Sequence, residues 1–286
     1  MKSRQYCKAL LRETDRRLRE KNRKFLFFAS VVCFLFCHCV QAQQILIHSH
    51  NDYQQPVPFY KAYGCRVYSI EVDIFHSGTD GLLVAHEVSG LSTARTFEDL
   101  YLGPIVELFR LNKGQAWKES GGTFQLLIDI KTPVVPTLDI LVSKLNAYPE
   151  VFDAAVNIHA VRIVISGDRP VPSEFSGYPP YIFFDGDLRQ TYTPEQLRRV
   201  ALFSEPFDRY SKWDGKEGYI IDSEKTLLEE AIRRVHSMGK QIRFWGTPDN
   251  MTAWRVFHTL GVDYINTDRP EACVDFFSRI SGRGYR

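Results

Sequence analysis

From residue 44 to residue 266 the chain alternates short apolar runs with longer amphipathic stretches. That is the pattern of parallel strands joined by helices. The runs are QILIH (44–48), VYSIEVD (67–73), FQLLIDI (124–130), VRIVIS (161–166), YIFFD (181–185), VALFS (200–204), QIRFW (241–245) and VDYIN (262–266). A ninth run, LLVAH (82–86), reads as a hairpin arm added after the second strand. Helices are predicted over 97–112, 137–147, 224–238, 248–260 and 270–280. The clearest has Ser223 as its cap, acids in its first turns and Gly239 to stop it. Between Ser166 and Tyr181 four prolines (170, 172, 179, 180) leave no room for a helix, and 193–199 holds only a turn or two. The expected fold is an α/β (β/α)8 TIM barrel, somewhat irregular around strands four to six, in a single domain over 43–286.

The polar residues fall at the ends of these strands. His48 ends the first, Glu71 and Asp73 the second, His86 the hairpin arm, Asp129 and Lys131 the third, Asp185 the fifth, and Asn266 and Asp268 the eighth. In such a barrel the C-terminal strand ends meet on one face, where active sites form. Residues two apart on a strand share a face, so Glu71 and Asp73 point together toward the axis while Ile70, Val72 and Ile74 point toward the helices. Three inward carboxylates, Glu71, Asp73 and Asp129, repel one another unless a counter-charge sits among them. A divalent cation supplies it, and all-oxygen ligands favour Mg2+, with Ca2+ as the alternative.

The first forty-two residues change the reading of composition. Residues 1–24 hold ten Lys/Arg against three Asp/Glu, followed by FLFFASVVCFLFCHCV (25–40) and Val40-Gln41-Ala42. A basic region, a short apolar core and small residues before Gln43 describe a signal peptide (1–42), hence export to a periplasmic or extracellular space. An uncleaved leader acting as membrane anchor is the alternative. The whole chain carries 36 − 34 = +2; without the leader's 10 − 3 = +7, the body carries −5. A mildly acidic body excludes nucleic acid as the expected partner. Four of the six cysteines lie in the leader, and the remaining two, Cys65 and Cys273, are not expected to pair.

HSHNDY, SIEVDIF, GLLVAHE, LLIDIKT and VDYINTDRP, in this order over about 45–275, resemble the phospholipase C-like phosphodiesterase superfamily. This includes glycerophosphodiester phosphodiesterases, phosphatidylinositol-specific phospholipase C and the sphingomyelinase D of spider venoms. The resemblance implies that His48 and His86 are the general acid and base. It implies that Glu71, Asp73 and Asp129 hold one Mg2+, that Lys131 steadies the phosphate, and that Asn51 and Trp245 stand beside the substrate. His50 is then a loop or supporting residue, and His76 lies near the rim. The chain departs from the glycerophosphodiester enzymes at Ser49, where they carry Arg, at Asp129, where they carry Glu, and at Glu87, where they carry Asp.

The implied activity is phosphodiester cleavage, by water or through a cyclic phosphate, on a small-molecule or lipid substrate. A monomer is expected, with transient membrane-surface contact through 206–222 as an option. Two rivals predict different chemistry. His48-Ser49-His50 also reads as the His-x-His pair of a binuclear amidohydrolase-type hydrolase, which would want further histidines at later strand ends. The other rival is a barrel-shaped binding protein without turnover.

Overall fold

The computed structural model describes residues 45–281, apart from 79–80, 119–121 and 217–218. The leader, with its predicted signal peptide, lies outside the described residues. The barrel falls within one compact unit, Gln44–Arg286. Among the described residues no helix is long and apolar enough to cross a membrane.

Eight parallel strands close on themselves. In chain order they are β1 (Leu46–Ser49), β2 (Ser69–His76), β4 (Gln125–Ile130), β5 (Arg162–Gly167), β6 (Ile182–Gly186), β7 (Val200–Pro206), β8 (Ile242–Trp245) and β9 (Tyr264–Thr267). Each pairs with the next, and β1 pairs with both β2 and β9, which closes the ring. The arm β3 (Leu82–Val84) runs antiparallel to the upper half of β2. The predicted strands are all present, and the TIM barrel is the observed fold. Its irregular side is also as expected: β5 and β6 are joined by a 3-10 segment, Pro172–Gly177, and the β6–β7 register shifts at Phe184/Asp185.

Helices cover the outside: α1 (Tyr60–Gly64), α2 (Gly103–Leu111), α3 (Val134–Leu145), α4 (Pro149–Phe152), α5 (Pro194–Arg198), α6 (Asp222–Ser237), α7 (Met251–Leu260) and α8 (Pro270–Ser281). Two of these, α1 and α4, are too short to leave a 3.6-residue pattern, and neither was expected. Residues Glu98–Leu102 form a π-type turn ahead of α2. The cap expected at Ser223 is absent: α6 begins at Asp222 with Ile221 before it and no side-chain cap, which puts Ser223 inside the first turn. Gly239 does stop the helix, with φ of 67°. Cys65 and Cys273 are both free thiols.

Strand alternation sorts the interior into two regions. Ile47, Ile70, Val72, Ile74, Leu126, Ile128, Ile163 and Ile165 face outward and pack under the helices. Leu46, Leu127, Val164, Leu202 and Tyr264 fill the lower barrel as a separate apolar plug. Above that plug the inward positions turn polar, which sets the height of the site.

Asp52 has a structural task in this frame. It is fully buried and accepts hydrogen bonds from Ser49 Oγ (3.0 Å), Phe59 N (2.6 Å) and Tyr101 Oη (2.8 Å). It thereby ties the end of β1 to the start of α1 and to the π-type turn. Burial raises its pKa, against the three donors that hold the charge. Replacing Asp52 by Ala strands all three donors. The expected loss is about 3 kcal/mol of stability, read as a lower urea midpoint at unchanged slope.

Candidate active site

A cavity of about 580 Å³ opens at the C-terminal ends of the strands. Its lining draws on β2, β4, β5, β6, β7 and β8 and on the residues that follow β1, so the closure of the barrel is what assembles it. Glu71 and Asp73 from β2 and Asp129 from β4 come together there, with one oxygen of each within 4.8 Å of the others. Among the described residues this is the only grouping of three or more potential metal-binding side chains, and it is entirely carboxylate. The register explains the convergence: Asp73 lies directly beside Asp129 across the β2–β4 ladder.

Two cations stand against these carboxylates. Lys131 Nζ lies 3.1 Å from Asp73 Oδ2 and 3.2 Å from Asp129 Oδ1. Arg243, on β8 and only 3% exposed, donates from Nη1 to Glu71 Oε2 at 2.5 Å and from Nε to Ser204 Oγ at 3.0 Å. Burial alone would raise the pKa of Glu71, but Arg243, with the hydrogen bond from His48, holds it well below the usual carboxylate range. Asp73 has no such partner. Burial and the charge of Glu71 push its pKa up to about 6, despite Lys131. Asp129 is also raised, mainly by burial.

The donor set fits a hard divalent ion. Glu71, Asp73 and Asp129 present oxygen ligands only, and the buried Oδ1 of Asp73 has no hydrogen-bond partner. A cation among these oxygens would satisfy both the charge and that orphaned atom. The His-x-His alternative is not assembled: His48 and His50 do not converge with other histidines on a common point, and the cluster that does form is oxygen only.

The two histidines of the opening motif sit at different heights. The expected substrate-facing residue, His48, is fully buried and does not line the cavity. The reason is register: β1 runs one residue past it, and His48 pairs with Ser69, one inward position below Glu71. Gln125 Nε2 donates to Ser69 Oγ (3.1 Å), Ser69 lies 2.8 Å from His48 Nδ1, and His48 Nε2 reaches Glu71 Oε2 at 2.8 Å. Arg243 Nη1 also lies against His48 Nε2. Burial and Arg243 push the His48 pKa down to about 3. It is a neutral strut beneath the carboxylates.

His50, two residues on, reaches the cavity instead. Its Nδ1 lies 2.7 Å from Asp268 Oδ1, and its Nε2 lies 3.7 Å from Glu71 Oε1. Burial disfavours its charge, but the Asp268 hydrogen bond and Glu71 outweigh it and raise the pKa. His86 lines the cavity too, with Nδ1 at 2.9 Å from Tyr53 Oη and 3.4 Å from Asp73 Oδ2. Tyr53 Oη donates to Asp73 Oδ2 at 2.7 Å, so it ties His86 to the carboxylate cluster. Asn51 lines the cavity with left-handed backbone, φ 47°. Lys131 and Trp245 line it too, Trp245 as a 45% exposed ring at the rim. Arg243 and Tyr53 were not expected. Arg243 had a signal, as a charge inside the apolar run QIRFW; Tyr53, on the 3-10 turn Asp52–Gln54, closes the HSHNDY motif.

Gly167, at the end of β5, is positioned against the cluster. With φ of 70°, a Cβ there would sit 2.2 Å from Asp129 Oδ1 and 2.4 Å from Ile130 O. Gly167→Ala should displace Asp129 and weaken divalent-cation binding about tenfold or more, measured by calorimetric titration. His48 generates a second expectation. Its folded pKa is depressed, so between about pH 6.5 and about 3 the unfolded chain binds a proton that the folded chain does not. Stability should therefore fall as pH falls through that window, and His48→Asn should flatten this acid limb in urea unfolding series.

Comparison with known proteins agrees with the geometry. Residues 38–171 match the model of an AIM6-like phosphodiesterase domain, and residues 241–271 match the glycerophosphoryl diester phosphodiesterase family. A curated relative from Arthroderma benhamiae, an altered inheritance of mitochondria protein 6 homolog, is 26% identical over 82% of this chain and 84% of its own length. Altered inheritance of mitochondria protein 6 of Saccharomyces cerevisiae is 21% identical over 78% of this chain and 68% of its own. Among solved structures, a glycerophosphodiester phosphodiesterase from Parabacteroides distasonis superposes with a TM-score of 0.53 at 14% identity, covering 83% of this chain and 99% of its own. A putative glycerophosphoryl diester phosphodiesterase from Silicibacter pomeroyi gives 0.52 at 13%, over 86% and 96%. The ordered motifs, the family-model matches and the shared barrel fold together make the chain similar to the phospholipase C-like phosphodiesterases, the glycerophosphodiester phosphodiesterases among them.

Proposed function

We propose that this protein is a divalent-cation-dependent phosphodiesterase in which His50 and His86, rather than His48 and His86, carry the proton transfers. The observation behind it is the carboxylate triad with two cavity-lining imidazoles against it, His50 beside Glu71 and His86 beside Asp73. Mg2+ is the ion the oxygen-only donor set favours, held by Glu71, Asp73 and Asp129. Bound there, the ion would neutralise charge growing on the phosphoryl oxygens.

The chain's own residues supply the rest. Lys131 places an ammonium beside two of the carboxylates, where it can pair with the phosphate. When Tyr53 gives its proton to Asp73, His86 Nδ1–H donates to the phenol oxygen, which leaves Nε2 free to take the proton of the attacking hydroxyl or water. His50 holds a proton more readily than an ordinary imidazole because Asp268 and Glu71 stabilise its charged form, so it protonates the leaving oxygen. Trp245 at the rim covers the departing alcohol. The leader supports an exported enzyme, and a soluble or lipid phosphodiester fits the open mouth equally well.

Phosphorus NMR on residues 43–286 with a mixed panel of soluble and lipid phosphodiesters tests this reading. Cleavage should require Mg2+, stop with chelator, and fall about 10²–10⁴-fold in His50→Ala and in His86→Ala. His48→Asn should be milder in turnover and should show chiefly in stability. Cleavage lost with His48 but retained without His50 would return the role to the buried histidine. No cleavage by folded, cation-bound protein would favour a binding protein instead.

A further inference from the structure

Glu71 is already half engaged before any ion arrives. Its Oε2 accepts from both His48 Nε2 (2.8 Å) and Arg243 Nη1 (2.5 Å). Arg243 cannot easily withdraw: it is 3% exposed, and its Nε is anchored on Ser204 Oγ at 3.0 Å. The other oxygen, Oε1, has its nearest charged neighbour in His50 Nε2, 3.7 Å away. So Oε2 is spent on two donors and Oε1 remains for an ion.

From this we infer that Arg243 is a positioning residue that makes Glu71 a one-oxygen ligand and so biases the triad toward Mg2+ over Ca2+. The inference rests on the cation-dependent reading above and adds a selectivity device to it. Ca2+ takes six to eight oxygens and uses bidentate carboxylates to reach that number. Mg2+ takes six at short distance and keeps several waters, so it needs only single oxygens from the protein. Pinning one oxygen of Glu71 removes the bidentate option without reducing the negative charge that both ions seek. Asp73, whose Oδ2 is likewise held by Tyr53 and Lys131, reinforces the same restriction.

The test is the ratio of affinities, because that ratio cancels the electrostatic gain any ion enjoys when a neighbouring positive charge is removed. Metal-stripped full-length chain would be titrated with Mn2+ by electron paramagnetic resonance, and the bound Mn2+ displaced with Mg2+ alone and with Ca2+ alone. The wild type should favour Mg2+. In Arg243→Met the preference should fall about tenfold or more, as Ca2+ gains the second oxygen. Arg243→Lys, which keeps one donor to Oε2, should fall between, and Ser204→Ala should shift the ratio the same way by less.

Equal gains for both ions in Arg243→Met would make Arg243 a plain counter-charge and overturn the inference. So would a wild type that binds Ca2+ as tightly as Mg2+, a result independent of how the variants fold. In either case cation-dependent turnover would survive, so the function and the selectivity device fail separately. Failure of Mn2+ to bind the folded wild type at all would overturn both.

Discussion

The upper barrel depends on the contact between Glu71 and Arg243. Both side chains are almost wholly removed from water; Arg243 holds Glu71 ionised, and Glu71 with Asp185 offsets the burial of the guanidinium. A buried ion pair of this kind is weak evidence for stability, since desolvation offsets much of the attraction. Removing one partner, however, leaves an uncompensated charge and costs about 3–5 kcal/mol. Neither residue is therefore free to vary alone. The pair fixes the level at which the apolar plug of Leu46, Leu127, Val164, Leu202 and Tyr264 gives way to a polar chamber. It also holds His48 neutral under that level, because a protonated imidazole against a guanidinium is the arrangement the site least tolerates.

The motif His48-Ser49-His50-Asn51-Asp52 divides its labour by direction. Residues on the inward face, His48 and His50, belong to the chamber, one as its floor and one as its wall. Ser49 and Asp52 turn the other way and lock the chain where it leaves β1, through Phe59 N and Tyr101 Oη. Asn51 makes the left-handed turn between these two tasks. A polar cluster after an apolar strand is thus neither all chemistry nor all loop. The lock on Asp52 keeps Tyr53 in reach of both Asp73 and His86, so a structural hydrogen-bond set upholds a functional one.

Much of this was legible in the sequence because strand periodicity is short and strict. Every barrel strand and the hairpin arm could be read from four to seven residues, and alternation correctly paired Glu71 with Asp73 and aligned Asp129 beside them. What escaped reading depended on register between strands. Whether His48 or His50 stands level with Glu71 is decided by the pairing of His48 with Ser69, and no local pattern encodes it. Arg243 was within reach of the same alternation rule. Trp245 was assigned to the barrel mouth, and a residue two positions earlier on the strand must share its face. The short helices α1 and α4 left too few residues for a helical period, and the absent Ser223 cap shows how weak one-residue boundary signals are.

The chamber carries a conflict that its own side chains do not resolve. Asp73 is pushed toward neutrality by burial and by Glu71, and one of its oxygens is left without a hydrogen-bond partner in the barrel interior. A fold selected for stability alone would replace at least one of these acids with an apolar residue, as it does one layer below at Leu127 and Val164. The strand that puts Leu127 in the plug carries Asp129 two positions later, and Gly167 is kept bare of a side chain where one would strike Asp129. The chamber is a layer that the fold does not use for apolar packing, set directly above one that it does.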